Sequence, residues 1–168
     1  MESTGEFNNA MSLLENLSLI LSILKSGRYV VSGQSMEPAL SHNQIVFVNK
    51  NTYEVASPQR GDIIVVTPPA TPNLEAVKRI VGLPKENIKL SNKGVCVNGK
   101  AITANWSLHY TNKINHCFEW TTQENEYVVL GDNVALLSPD MSSKMIGLVK
   151  KSQIIGKVSF RLWPMHKL

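Results

Sequence analysis

The stretch Val95-Cys96-Val97-Asn98-Gly99-Lys100-Ala101-Ile102-Thr103 places Asn-Gly between two short apolar runs. A two-residue hairpin turn needs positive φ at both central positions, which Asn and Gly adopt with little strain. The stretch therefore predicts a β-hairpin. Apolar runs of similar length, separated by turn residues, recur on both sides of it and indicate an all-β body.

The candidate strands are short apolar runs bounded by turn residues. They are 44–48, 62–67, 76–81, 88–90, 95–97, 127–130 and 154–160. The segment TPPATP at 67–72 is interpreted as a rigid, exposed connection, because its prolines cannot sit in a central strand. The stretch 105–123 has no clear period and is interpreted as a long insertion or an irregular hairpin. We predict a mainly β fold of antiparallel, coiled or barrel-like sheets, with residues 29–168 as one β-rich domain.

Residues 1–28 differ from this body in composition and in the period of their hydrophobic residues. The first ten are polar, and the stretch MSLLENLSLILSIL at 11–24 is the most hydrophobic of the chain, with leucines at helical spacing. It predicts a short N-terminal hydrophobic helix, although it falls short of the roughly 20 residues that a spanning helix needs. Three interpretations stay open: a short or tilted membrane anchor, an amphipathic helix in the membrane interface, and a helix packed on the domain. An anchor is favoured.

Composition excludes some classes of function. The net charge of +4 is spread over many segments, which suits anionic lipid or acidic partners and does not match a nucleic-acid-binding protein. The four histidines and two cysteines show no metal-ligand spacing, so we predict no metal site. Cys96 is interpreted as a small buried hydrophobe, and a disulfide with Cys117 is left open.

Ser35 lies in VSGQSMEPAL at 31–40, between the N-terminal hydrophobic stretch and the first candidate strand. Gly33 permits a backbone conformation that exposes the amides after it, and Pro38 stiffens the chain beyond the turn. Amides so placed can hold an oxyanion during acyl transfer. Taken alone, the pattern is also ordinary loop chemistry.

Lys78 and Arg79 are neighbours in the candidate strand 76–81 and therefore point to opposite faces of it. One of them is directed inward unless the strand lies at a sheet edge, where the two would form an exposed basic pair. A lysine in an apolar site loses its proton near neutral pH, because burial disfavours the charged form. Such a lysine can act as the base for a serine hydroxyl.

Two turns adjoin candidate strands. Gly131-Asp132-Asn133 ends the strand 127–130, and Arg60-Gly61 leads into the strand 62–67. Asp and Asn side chains hydrogen-bond nearby backbone in such turns, so a purely structural role is open for both.

Together these segments resemble the conserved boxes of type I signal peptidases, a family that includes the bacterial enzymes and the mitochondrial inner-membrane peptidase. SGQSMEPAL, RGDIIVV, VKRIVGLP and GDN occur in the family's order and approximate spacing, and the tail IIGKVSFRLWP resembles the end of its catalytic domain. Five segments in order, between residues 31 and 164, are a far more specific signal than any one of them.

The resemblance implies that Ser35 is the nucleophile and Lys78 its general base. It implies a supporting role for several other residues: Met36, Arg79, Gly131, Asp132 and Asn133. The family's fold is mostly antiparallel β with an N-terminal transmembrane helix, and its substrates are exported preproteins with small residues at the first and third positions before the cut. The implied activity is a serine endopeptidase that removes signal peptides without a cofactor.

The chain departs from the family pattern in its last box. The family continues from Gly-Asp-Asn into Ser-X-Asp-Ser-Arg, whereas here Ser138-Pro139-Asp140 comes one residue late and Met141-Ser142 follows. The serine that would hydrogen-bond Lys78 is therefore ambiguous, with Ser138 ahead of Ser142. Gly33 stands where some members carry a serine that completes the oxyanion hole, so any such help would come from the backbone at Gly33 and Ser35.

The resemblance also implies a membrane-associated protein, with a single-pass or interfacial N-terminal anchor and its catalytic domain on the trans (extracytoplasmic) side. Its partners would be preprotein substrates and membrane lipid, with a partner subunit left open. Three other functions stay open: a maturation protease of the same family dedicated to another substrate, a self-cleaving repressor-type protease, and a catalytically silent member that acts as a binding subunit.

Overall fold

In a computed structural model of the chain, the described residues are 26–102, 106, 117–133, 147–162 and 165–167. They form two antiparallel sheets, one of eight strands and one of four. The predicted mainly β, antiparallel fold is confirmed. The predicted N-terminal helix at 11–24 lies outside the described residues.

The large sheet carries the candidate functional residues. Its strands are β1 (Ser26–Val30), β2 (Ile45–Asn49), β3 (Ile63–Val66), β4 (Ala76–Gly82), β9 (Glu126–Leu130), β10 (Gly147–Lys150), β11 (Ile154–Leu162) and β12 (Met165–Lys167). They are ordered β1-β2-β11-β3-β4-β9-β10, and β12 pairs with β11. A short helix, α1 (Thr52–Val55), lies between β2 and β3, and a 3₁₀ turn (Lys151–Gln153) lies between β10 and β11.

The small sheet consists of β5 (Asn87–Ser91), β6 (Gly94–Val97), β7 (Lys100–Ala101) and β8 (Phe118–Thr121), in the order β7-β6-β5-β8. The predicted hairpin joins β6 to β7: φ is 50° at Asn98 and 79° at Gly99, and Val97 pairs with Lys100. The positive φ values are those that the Asn-Gly dipeptide predicted.

Other predictions differ from the structure. Strand β8 falls in the stretch interpreted as an insertion or irregular hairpin, where Phe118 and Trp120 alternate with polar residues and stack against each other. Cys96 is only half-buried, and both cysteines are free thiols. In the predicted exposed connection 67–72, Pro69 and Pro72 are exposed as expected, but Pro68 is buried.

The centre of the large sheet is covered on both faces. Ile63 and Val65 of β3 belong to one hydrophobic cluster, whereas Ile64 and Val66 belong to another. The adjoining strand β4 is also an interior strand, between β3 and β9. Polar side chains on β4 are therefore held inside the protein, where they need partners.

Among the residues that the structure describes, no helix has the length and apolar character required to cross a membrane. The division of the chain after residue 28 stays a prediction; the described part of the chain begins with β1.

Candidate active site

The segment that carries Ser35 is a loop between β1 and β2, closed at its base by two backbone hydrogen bonds. The Val31 amide donates to the Gln44 carbonyl, and the Asn43 amide donates to the Val31 carbonyl, both at 2.8 Å. Met36, beside the serine, is 1% exposed and lies in a hydrophobic cluster with Val31. The apolar anchors on each side of the serine therefore hold its loop against the sheet.

Lys78 extends from β4 toward this loop. Its Nζ lies 2.7 Å from Ser35 Oγ, and the lysine is only 7% exposed. Burial lowers the pKa of Lys78 from its ordinary 10.5 to about 8, against a smaller upward effect of the Asp132 carboxylate. About a tenth of the amine is therefore uncharged at pH 7, within hydrogen-bond reach of a serine hydroxyl.

Arg79, the next residue on β4, is equally buried at 7% exposed. Its guanidinium makes a two-point ion pair with Asp132, with Nε–Oδ1 at 2.8 Å and Nη2–Oδ2 at 2.6 Å. It also donates to the Gly61 carbonyl at 2.7 Å and lies over the Trp106 ring, 5.2 Å from the centroid. These contacts compensate the charge that its side chain buries.

Strand alternation predicted that one of Lys78 and Arg79 would face inward, but both are buried. The reason is that β4 is covered on both of its faces and paired on both edges at Arg79, to Ile63 on one side and Leu130 on the other. The exposed basic pair on an edge strand is therefore excluded. The lysine is left with a hydroxyl as its hydrogen-bond partner, while the arginine takes the carboxylate.

The turn after β9 packs directly against the serine loop. The Asn133 amide donates to the Ser35 carbonyl at 2.9 Å. Gly131 also borders the serine: a Cβ at that position would lie 3.1 Å from Ser35 Cβ and would overlap the Ser35 carbonyl oxygen. Asp132, between them, is 1% exposed and holds Arg79. The three residues of the turn thus connect the serine loop to β4.

A cleft of about 240 Å³ opens beside the serine and the lysine. One wall comes from the end of β1 and the start of the serine loop, and the other from the first residues of β4. The lining residues are Tyr29, Val30, Val31, Ser32, Ser35, Met36, Val65, Glu75, Ala76, Val77 and Lys78. Most of the lining is apolar or small, which suits small uncharged side chains.

Comparisons with known proteins show the family of the chain. A family model described as signal peptidase, peptidase S26, matches residues 6–163. The chain belongs to this signal peptidase family. The family name identifies the protein as a peptidase.

Signal peptidases from several bacteria are similar to the chain. Signal peptidase I of Bacillus caldolyticus is 37% identical over 148 residues, which cover 81% of this chain and 79% of the relative. Signal peptidase IB of Staphylococcus aureus is 32% identical over 153 residues, which cover 81% and 77%. A crystal structure of a signal peptidase I from Enterococcus faecalis is 26% identical, covers 62% of this chain and 98% of that one, and has a TM-score of 0.49.

The sequence predicts that the backbone amides of Gly33 and Ser35 face an oxyanion. In the structure the two amides differ in their hydrogen bonding. The Gly33 amide donates to His42 Nδ1 at 3.0 Å, so it is occupied, and φ at Gly33 is +85°. The Ser35 amide makes no hydrogen bond with any described residue. His42 was not singled out from the sequence, because nothing in a lone exposed histidine indicates which amide it will meet.

Five of the six residues predicted to support the site lie together. Met36, Arg79, Gly131, Asp132 and Asn133 all lie around the pair formed by Ser35 and Lys78. Ser138, and with it the alternative Ser142, lies outside the described residues. Within the described ranges, no three His, Cys, Asp or Glu side chains are grouped as metal ligands would be.

Proposed function

We propose that this member of the signal peptidase family cleaves peptide bonds with Ser35 as nucleophile and Lys78 as general base. The observation that carries the proposal is the 2.7 Å separation of Lys78 Nζ and Ser35 Oγ, with the lysine buried. A buried amine with a pKa of about 8 is close to the value that makes a useful base at neutral pH. A serine hydroxyl needs such a base, because it is a weak nucleophile by itself.

The chemistry is acyl transfer in two steps. Uncharged Lys78 takes the proton of the Ser35 hydroxyl as Oγ attacks the scissile carbonyl carbon. The resulting ammonium then gives this proton to the leaving amine, and an ester of Ser35 remains. Water attacks the ester, Lys78 takes a proton from that water, and the proton returns to Oγ as the ester breaks.

The Ser35 amide is the group we assign to stabilising the oxyanion, because it has no partner among the described residues. The sequence had suggested the Gly33 backbone as a second donor. Its amide is bonded to His42 in this structure, so we give it no part in the oxyanion site. The turn at Gly131, Asp132 and Asn133 is assigned a positioning role, since it contacts the serine loop and holds Arg79.

We propose that the substrate binds as an extended strand along β4. On one edge, β4 pairs with β3 from Ala76 onward, whereas its pairing with β9 begins only at Arg79. The second edge of the segment from Ala76 to Lys78 is therefore unpaired within the described residues, next to the cleft. A peptide could form main-chain hydrogen bonds there and insert a small side chain into the cleft.

The names of the relatives support preproteins with signal peptides as substrates. The predicted hydrophobic segment at 11–24 would anchor the chain at the membrane, with the β-rich domain on the trans side. Carbonate washing of membranes tests this part: an integral anchor stays in the pellet, whereas a surface-bound chain is released.

The activity is tested with purified protein, a preprotein and a fluorogenic Ala-X-Ala peptide. We expect cleavage by the natural protein and its loss in Ser35→Ala, with Ser57→Ala as a control on an exposed serine. Cleavage that survives Ser35→Ala would contradict the nucleophile assignment. A catalytically silent binding subunit would cut neither substrate, and a dedicated maturation protease would reject general preproteins.

A further inference from the structure

Glu75 lines the cleft that holds Ser35 and Lys78. Its side chain is exposed and has no hydrogen bond or ion pair with any described residue. Apart from Lys78, it is the only charged residue among the described residues of the lining. Within the described ranges nothing therefore occupies the acid, in a chain whose overall charge is positive.

The position of Glu75 relative to Lys78 determines which residue of a bound peptide would contact Glu75. Glu75 immediately precedes β4 and lies three positions before Lys78, and the rise of a strand is about 3.3 Å per residue. A peptide lying along this edge would thus run roughly 10 Å from the level of Lys78 to the level of Glu75. That distance spans about three residues of extended substrate.

We propose that Glu75 gives the enzyme a preference for substrates that carry lysine or arginine about three residues from the scissile bond. The proposal rests on the proposed function and adds a charge criterion to the small apolar selection by the cleft. A cationic side chain at that position can meet the carboxylate without displacing a partner from the described part of the chain. An acidic side chain there would be repelled.

The size of the preference follows from the exposure of Glu75. Exposed ion pairs are weak and are screened by salt, so we expect a lysine peptide to exceed its glutamine counterpart about two- to five-fold in kcat/KM at low salt. The same preference should shrink in about 1 M salt, where the screening length is only about 3 Å. An apolar explanation of the preference would not predict this loss.

The test uses a set of peptides that share one cleavage sequence and carry lysine, glutamine or glutamate, moved one position at a time through the four residues on each side of the cut. We expect the ratio of kcat/KM for the lysine peptide to that for the glutamine peptide to peak about three residues from the cut and to fall to about one in Glu75→Gln. In Glu75→Lys, the glutamate peptide should be cut faster than the lysine peptide. Glu54→Gln removes the same charge from an exposed site on α1 and should leave the ratio at its natural value.

A lysine preference that survives Glu75→Gln, or that is absent from the natural protein at low salt, would overturn the proposal. Binding of the same peptides to the Ser35→Ala variant, followed by fluorescence anisotropy, separates this inference from the activity itself. If the natural protein cuts nothing but the variant binds lysine peptides in a Glu75-dependent way, the proposed function fails and the inference holds. If no peptide binds, the inference fails as well.

Discussion

Replacing Lys78 with methionine tests the claim that a buried amine is the base. Methionine keeps most of the length of the side chain and removes the ionisable group. Lys78 is 7% exposed, and its pKa is lowered from 10.5 to about 8, chiefly by burial. At about 1.4 kcal/mol per pH unit, this difference corresponds to about 3 kcal/mol of destabilisation when the amine is charged.

The direction of the pH effect follows from the proton count. Below about pH 8 both the folded and the unfolded chain hold the proton, so the cost of burying the charge is present in full. Between about pH 8 and 10.5 the unfolded chain holds a proton that the folded chain has lost, so stability rises with pH. Above 10.5 the amine is neutral in both states and the cost is gone.

We therefore expect Lys78→Met to be more stable than the natural protein at pH 7. The gain is about 3 kcal/mol from the charge, less about 1 kcal/mol for the lost hydrogen bond to Ser35, which leaves about 2 kcal/mol. Toward pH 10.5 this advantage should disappear. Cleavage activity should be lost at every pH.

The assay is urea unfolding at pH 7 and pH 10, followed by tryptophan fluorescence. Lys89→Met, which removes an exposed lysine from β5, is the matched control and should change stability by only a few tenths of a kcal/mol. In the natural protein, kcat/KM should rise about ten-fold per pH unit below pH 8 and then level off. A Lys78→Met variant that is less stable at pH 7, or that still cuts the peptide, would refute the reasoning.

Two further predictions concern the turn beside the serine. Asp132→Ala leaves the Arg79 guanidinium buried and unpaired, so the free energy of unfolding in urea should fall by about 3–5 kcal/mol, and a loss under 1 kcal/mol would contradict the role of the ion pair. Gly131→Ala forces a methyl group against the backbone of Ser35, so kcat/KM for the reference peptide should fall at least about ten-fold, because small displacements of a nucleophile are costly. An unchanged rate in that variant would mean that the turn does not position the serine.

Much of the architecture follows from local patterns in the sequence. The Asn98-Gly99 hairpin and most of the candidate strands, such as 62–67 and 76–81, appear within one or two residues of their predicted bounds. These features depend on φ preferences and on side-chain alternation, which neighbouring residues determine by themselves. Strand β8 also has such alternation, but its four residues are too few to stand out within the aperiodic stretch 105–123.

The electrostatics of the site depended on the tertiary structure. The sequence showed that Lys78 and Arg79 alternate on a strand, but only the tertiary structure buried both of them. The serine loop meets Lys78, whereas Asp132 and the Gly61 carbonyl meet Arg79. Which cation meets Asp132, and which meets Ser35, depends on three separate parts of the chain that the fold brings together: the serine loop, β4 and the turn after β9. The hydrogen bond from the Gly33 amide to His42 likewise depends on the folded chain and not on a local pattern. A local pattern determines how a backbone bends, whereas the charge state of a side chain depends on how much water and which partners the folded chain leaves around it.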